Sequence, residues 1–368
     1  MVTMTITADH AATHATAAPT APAASLLSAR PHPAGHERVE VVRGARSGLV
    51  MMVAVHSTRL GPALGGCRLW HYDTVDDAVA DALRLSAGMT AKNALAGLAH
   101  GGGKAVIMAP DEPLDADRRE AAFLDLGDLV ASFDGSYVTA EDVATGSADM
   151  AVVARQTSAV VGLPEADGGH GDPGEYTARG VHSALLAVLP RIRFASPEGL
   201  RVTIVGFGQV GSRLARMLVE AGAVVSATDV NPARRAAVEE LGATWVSPAD
   251  AHRLDTDVFV PAGVGGMLSG TVIDELRCLA VVGPANNQLA EADGGDRLAA
   301  RGILYAPDYV VNAGGVIHLG SPGSSREEVL AQIDALGARL DEVLALAEAE
   351  ALTPSRAADL LVARRLAA

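Results

Sequence analysis

Residues 201–205 read as a short apolar strand, and they run directly into Gly206-Phe207-Gly208-Gln209-Val210-Gly211. Residues 212–221 then have helical spacing, and residues 224–229 form a second strand pattern that ends on an acid, Asp229. A strand, a Gly-x-Gly-x-x-Gly turn, a helix and an acid-tipped strand in this order fit the first crossover of a doubly wound parallel sheet. Gly206 permits the tight turn, Gly208 lets backbone approach a pyrophosphate, and Gly211 allows the helix to pack closely on the strand. The helix amino terminus faces the anion, and Gln209 and Val210 of the turn join the candidate cofactor residues. Asp229 is positioned to bond the hydroxyls of an adenine ribose and to repel a 2′-phosphate, so the expected cofactor is NAD rather than NADP. Arg234 and Arg235 lie nearby and read as a solvated helix face. Strand patterns at 258–261, 279–283 and 303–306 continue the alternation with helical stretches, and Ala262, just beyond the first of these, joins the candidate cofactor residues.

The amino-terminal half carries different chemistry. Strand patterns at 39–42 and 49–56 precede Gly61-Pro62-Ala63-Leu64-Gly65-Gly66. Apolar residues repeat with helical spacing over 76–89, which puts Lys92 at or just past that helix end. A second lysine closes His100-Gly101-Gly102-Gly103-Lys104 and precedes a buried-strand pattern at 105–108. Glycine costs backbone entropy on folding, so a run of it implies close approach of the chain to something, and the cation it delivers can sit against a substrate, a phosphate or a carboxylate. A helix is expected over 118–133, and a strand at 137–140 delivers Glu141 and Asp142 at its carboxyl end. Two lysines, an aspartate and a dinucleotide fingerprint in one chain point to hydride chemistry on an amino or keto acid.

These patterns predict an α/β protein of two domains with a cleft between them. Residues 1–35, rich in Ala, Thr and Pro, read as a disordered tail, and 36–165 as an α/β substrate and catalytic domain. Residues 162–174 hold five glycines and two prolines and read as a hinge, and 175–325 read as the Rossmann dinucleotide-binding domain. One long helix is expected over 326–351, opened by a capping box of Ser325 and Glu328, and a last helix follows Thr353-Pro354. The carboxy-terminal helices, about 340–368, are expected to pack back on the first domain.

Composition excludes several classes. A formal net charge of -15 argues against a surface that neutralises nucleic-acid phosphates. No apolar run approaches the roughly 18 residues of a membrane span, and the start lacks the cationic and apolar regions of a secretory signal. The two cysteines, Cys67 and Cys278, can form one disulfide on paper, but they read as free thiols in a reducing cytoplasm. No metal site is expected.

Seven stretches occur in one order across both halves: GPALGGCR (61–68), GMTAKNALAGL (88–98), GGGKAVI (101–107), TAEDVAT (139–145), VGFGQVG (205–211), GPANNQL (283–289) and YAPDYVVNAGGVI (305–317). With them the chain resembles the Glu/Leu/Phe/Val amino-acid dehydrogenases, the leucine and valine dehydrogenases most of all. The resemblance implies NAD-dependent, reversible oxidative deamination of a branched-chain L-amino acid to its 2-oxo acid and ammonia, by a homo-oligomer, dimer or higher. It implies that Lys92 binds the substrate carboxylate, that Lys104 is catalytic, and that Asp142 exchanges protons with the substrate nitrogen. Burial and the neighbouring Lys92 are expected to lower Lys104 toward roughly 7–8, the useful range for a general base. Gly65 and Gly66 border the substrate, and Leu64, Ala140, Val316 and Leu319 line its side chain. Asn287 is implied near the substrate and the nicotinamide ribose, and Thr177 at the nicotinamide amide. Glutamate dehydrogenases of the family place a lysine where this chain has Leu64, so an acidic side chain finds no counter-ion. Three positions depart from the family pattern: His170 and Glu175 in the hinge, and Cys67 beside the Gly-Gly turn. Two alternatives stand beside the main reading: a member retuned to a specialised amino acid or imine in biosynthesis, and a non-catalytic nucleotide-binding protein.

Overall fold

The computed structural model describes residues 24–29 (backbone only), 35–164, 166, 172–321 and 323–368. Two sheets organise the chain. The first holds β1 (Ala24–Ala29), β2 (Arg38–Arg43), β3 (Val50–Ser57), β4 (Ala63–Leu64), β5 (Cys67–Trp70), β6 (Gly101–Met108) and β7 (Tyr137–Val138). Their order is β1-β2-β3-β6-β4-β7, with β5 also paired to β6. Strands β1, β2, β3 and β6 pair antiparallel, whereas β4 and β5 lie parallel to β6. Strand β1 corrects the reading of residues 1–35 as a disordered tail, because Ala24–Ala29 pairs with β2; residues 1–23 and 30–34 lie outside the described residues.

Strand β3 is buried along nearly all of its length because helices cover both faces of the sheet. Met52 and Ala54 pack with Ala78 and Ala82 of α1 (Val75–Leu95), whereas Met51 and Val53 face Phe123 and Leu126 of α2 (Ala116–Ala131). The alternation follows from the two-residue period of a strand. A short helix, α3 (Ser147–Val153), packs on α2. Helix α1 runs to Leu95, beyond the end expected from its periodicity, so Lys92 lies in its last turn. Lys104 sits inside β6 rather than ahead of it. The glycines before it answer a packing demand within the protein. A Cβ on Gly102 would lie 2.1 Å from the backbone nitrogen of Thr90 in α1, and one on Gly103 would lie 2.5 Å from the Tyr137 ring. The close approach that the glycine run implied is therefore to α1 and β7, not to a ligand.

The second unit begins with α4 (Pro173–Val188) and continues as β8 (Arg201–Val205), α5 (Gln209–Glu220), β9 (Val224–Thr228), α6 (Arg235–Glu240) and β10 (Thr244–Trp245). It then runs through β11 (Val258–Pro261), α7 (Gly270–Glu275), β12 (Ala280–Val281), α8 (Gly294–Ala300) and β13 (Leu304–Tyr305). All five pairings are parallel, in the order β10-β9-β8-β11-β12-β13. Counted from β8, that is the 3-2-1-4-5-6 order of the doubly wound dinucleotide fold, whose ligand crevice lies at the carboxyl ends of β8 and β11.

Five helices close the chain: α9 (Asp308–Val311), α10 (Gly314–Leu319), α11 (Arg326–Asp334), α12 (Leu336–Ala349) and α13 (Pro354–Ala367). The single helix expected over 326–351 is interrupted at Ala335, which caps α11. The expectation that 340–368 packs back on the first domain holds for α13, which packs on α1, but not for α12. Leu340, Val343 and Leu344 share a core with Val181 and Leu185 of α4 and with Val202 and Ile204 of β8. Contact with the first unit is made near the end of α13, where Arg365 donates to the Ala94 carbonyl at 2.7 Å and Arg59 to the Leu366 carbonyl at 3.2 Å. Residue His170 lies outside the described residues. Glu175 is described: it pairs with Arg326 at 2.7 Å on the surface. Among the described residues, no helix is long and apolar enough to cross a membrane, and no group of three or more His, Cys, Asp and Glu is placed to hold a metal ion.

Candidate active site

Strands β5, β6 and β7 bring three chemical groups, Arg68, Lys104 and Asp142, to one end of the first sheet. Lys104, 4% exposed, extends from β6 and places Nζ 2.8 Å from Oδ2 of Asp142, just past β7. The Asp142 backbone N–H donates to Thr145 Oγ1 at 2.8 Å, which anchors the turn that carries the carboxylate. Arg68 of β5 donates to the same Oδ2 at 3.2 Å and is itself held by Asp81 of α1 at 2.9 Å. Burial opposes ionisation of Asp142, but the Lys104 ammonium and the Arg68 guanidinium prevail and hold its carboxyl down at about 2.

Lys92 reaches the same space from α1. Its Nζ donates to Asn286 Oδ1 at 3.0 Å, a neutral partner. Burial, opposed by Asp308 and reinforced by Lys104, lowers Lys92 from 10.5 to about 8. Asn286 is held in turn by Asn312, whose Nδ2 donates to Asn286 Oδ1 at 2.8 Å and to the Pro284 carbonyl at 3.1 Å. The other side-chain atom of Asn312, Oδ1, is a buried acceptor without a partner among the described residues.

These groups open on a cavity of ≈ 330 Å³ between the two units. Leu64, Ala140, Val316, Leu319 and Met89 form an apolar wall, and Gly65 and Gly66 run beside it. Thr177 and Val210 line the side toward the second sheet. Thr177 Oγ1 donates to the Pro173 carbonyl at 3.0 Å. The remaining cofactor candidates, Gly206, Gly208, Gln209, Gly211, Asp229 and Ala262, stand outside this cavity at the glycine turn. Gly206 has φ +113, and a Cβ there would lie 2.5 Å from the Ala262 carbonyl carbon. A Cβ on Gly211 would lie 2.1 Å from the Gly206 oxygen, while Gly208 faces open space. The turn is thus closed against protein at the outer glycines and open at the middle one, as a pyrophosphate requires. Asp229 accepts from the Phe207 N–H at 2.7 Å and the Asn231 N–H at 2.8 Å, which fixes its carboxylate beside the turn. A dinucleotide fits this set of residues.

Asn287 is exposed, has φ +51, and lines a smaller pocket that adjoins the cavity and includes Lys92, Lys104 and Asp142. The asparagine on Lys92 is its neighbour Asn286. Asn286, Asn312 and Arg68 are site residues that sequence reasoning missed, although each stands inside a stretch that carries the family resemblance. Cys67 and Cys278 are free thiols. Burial pushes both thiols up, Cys278 to about 12, which makes them poor nucleophiles.

Comparison with known proteins agrees with this geometry. Residues 36–159 match the family described as Glu/Leu/Phe/Val dehydrogenase, dimerisation domain, and residues 168–233 and 230–322 match Glutamate/Leucine/Phenylalanine/Valine dehydrogenase. The chain is 40% identical to a leucine dehydrogenase of Geobacillus stearothermophilus, over 90% of each chain. It is also 40% identical to a valine dehydrogenase of Streptomyces coelicolor, over 90% of this chain and 93% of that one. Among solved structures, the L-tryptophan dehydrogenase of Nostoc punctiforme superposes with a TM-score of 0.79 at 34% identity, covering 90% of this chain and 96% of that one. With both matched segments, both sheets and the lysine–aspartate cleft in agreement, the chain belongs to the Glu/Leu/Phe/Val dehydrogenase family.

Proposed function

We propose that this protein catalyses NAD-dependent, reversible oxidative deamination of an aliphatic, branched-chain L-amino acid. The observation that carries the reading is the Lys104–Asp142 ion pair at 2.8 Å beside an apolar wall that contains Leu64. Names of the relatives, leucine and valine dehydrogenase, support the same substrate class. Gly206, Gly208, Gln209, Val210, Gly211 and Ala262 hold the dinucleotide, Asp229 selects its unphosphorylated ribose, and Thr177 orients the amide. When bound, the nicotinamide supplies the two-electron acceptor for the amino acid.

The chain's own residues do the rest. The Lys92 ammonium holds the α-carboxylate, which fixes Cα in the cleft. In the deamination direction, neutral Nζ of Lys104 takes a proton from the water that attacks the imine carbon. In the amination direction, the Lys104 ammonium donates to the carbonyl oxygen and gives up its proton as that oxygen leaves in water. Asp142 exchanges protons with the substrate nitrogen. Arg68 positions Asp142 from behind. Leu64, Ala140, Val316 and Leu319 receive the side chain and exclude water from it. A γ-carboxylate against Leu64 has no counter-ion, which costs several kcal/mol, and at about 1.4 kcal/mol per decade rejects glutamate by roughly a thousandfold. The description of residues 36–159 as a dimerisation domain supports a homo-oligomer, and the free thiols support a reducing cytoplasm.

The test is NADH or NADPH formation across a panel of L-amino acids at alkaline pH. Valine, leucine or isoleucine with NAD should give the highest rates. Equal turnover of glutamate and valine sinks the substrate assignment, a preference for NADP sinks the role of Asp229, and turnover of a bulky polar amino acid alone favours the specialised-substrate alternative.

A further inference from the structure

A second, smaller pocket of ≈ 130 Å³ adjoins the cleft and shares with it Met89, Lys92, Lys104, Asp142 and Asn286. The space is well under half the ≈ 330 Å³ of the main cavity and has ample room for water-sized molecules. Its inner end is the Lys104–Asp142 pair. Its outer end is solvent-exposed at Arg84 and Gly88 of α1 and at Asn287, beside the contact between α1 and α9 where the two units meet.

Gly88 is the unexpected residue here. It lies in the interior of α1, where glycine is less stable than alanine by roughly 0.5–1 kcal/mol. Packing does not demand it, because a Cβ at Gly88 meets nothing within 4 Å. Elsewhere near the site, at Gly65, Gly66, Gly102 and Gly103, an added Cβ would collide with neighbouring atoms at under 3.0 Å. The missing side chain at Gly88 leaves the pocket open rather than letting chains approach. A larger residue would close it: helical side chains lie back over the preceding turn, here Arg84 and Leu85, and both line the pocket.

The lining also bears on what passes. Arg68, Arg84, Lys92 and Lys104 face it against Asp142 and Asp308, and Asp81 behind them pairs with both arginines, which leaves a small excess of positive charge. Such a lining disfavours a cation and tolerates a small neutral molecule with both donor and acceptor capacity. We propose that this pocket is a back door through which ammonia, in its neutral form, and water reach and leave the Lys104–Asp142 pair while the amino or 2-oxo acid and the dinucleotide occupy the main cleft. Gly88 keeps the door open. The proposal rests on the deaminating activity proposed above and adds a route for its smallest reactant.

Reductive amination separates the two claims. The wild type, Gly88→Ala and Gly88→Leu are assayed with the 2-oxo acid of leucine and NADH at saturation while ammonium chloride is varied. NADH binding is followed separately by fluorescence, and folding by thermal melting. Gly88→Leu should raise the KM for ammonium tenfold or more, while the KM for the 2-oxo acid and the Kd for NADH stay within threefold; Gly88→Ala should fall between. Both variants should melt no lower than the wild type, because each residue favours the helix over glycine. An ammonium KM within twofold of wild type in a folded Gly88→Leu protein overturns the back door and leaves the activity standing. A parallel rise in all three constants also overturns it, since it assigns Gly88 to cleft geometry. A wild type that aminates no 2-oxo acid removes the underlying activity and the door with it.

Discussion

Lys92, in the last turn of α1, and Lys104, inside β6, reach the same cleft from different elements and meet different partners. Lys104 is buried and ion-paired, with Asp142 at 2.8 Å. The hydrogen-bond partner of Lys92 among the described residues is the amide oxygen of Asn286 at 3.0 Å, the Asp308 carboxylate acts on it without a hydrogen bond, and burial brings it down to about 8. A cation already balanced by a carboxylate has little to offer an incoming anion, but its proton can move along the pair. A buried cation with a neutral partner gains a large electrostatic interaction from an incoming carboxylate. The difference between the two environments, rather than residue type, assigns chemistry to one lysine and anchoring to the other.

The largest break in this comparison comes at Lys104. Lys104→Ala should lower kcat by about 10²–10⁴, the range for loss of a positioned acid–base group, while NADH binding stays nearly unchanged. Retention of more than a tenth of wild-type turnover would remove Lys104 from the chemistry. Asp142 loses its main counter-charge in this variant, so a melting curve belongs beside the kinetics. A smaller effect is expected at the far end of the cleft. Leu64→Lys should cut kcat/KM for leucine by roughly tenfold to a hundredfold through an unpaired cation in an apolar wall, and should raise the ratio of glutamate to leucine turnover. An unchanged ratio would detach Leu64 from specificity.

The smallest effect sharpens the comparison through pH. Lys92 loses its proton above about 8 in the folded protein, whereas its ordinary value is 10.5. A carboxylate binds the ammonium form, so the KM for the amino acid should rise several-fold between pH 8 and pH 9.5 and should be flat over that interval in Lys92→Met. The same shift has a stability consequence of defined sign. Between about 8 and 10.5 the unfolded chain holds more protons at this site than the folded one, so the Lys92 contribution to stability improves with rising pH.

The two halves of the molecule were not equally legible in the sequence. The dinucleotide unit was readable because its constraints are local. Gly206, Gly208, Gly211 and Asp229 follow one another along a single crossover, and the parallel strand order comes from the repeated strand–helix alternation. The first unit depends on contacts distant in sequence. The glycine run before Lys104 was visible, but its cause, the approach of Thr90 and Tyr137, appears only when α1 and β7 are laid against β6. Helix α1 tolerates Gly88 in its interior, and although its apolar periodicity fades at residue 89 its hydrogen bonds continue to Leu95. The choice between Asn286 and Asn287 depends on the backbone turn, where Asn287 adopts φ +51 and its neighbour takes the contact with Lys92. Arg68 acquires a role only in the fold, where Asp81 and Asp142 flank it. Helix α12 reads as one helix with α11 because Ala335, the residue between them, is itself a good helix former.

The central claim, that Lys92 grips the carboxylate and Lys104 does the chemistry, is tested most directly by a cycle of variant against substrate. Steady-state kcat/KM is measured for L-leucine and for L-leucinamide, which lacks the carboxylate charge, in the wild type, Lys92→Met and Lys104→Met. Lys92→Met should lose a hundredfold or more on leucine and less than fivefold on leucinamide, whereas Lys104→Met should lose a similar large factor on both. An equal loss on the two substrates in Lys92→Met would contradict the division of labour between the two lysines.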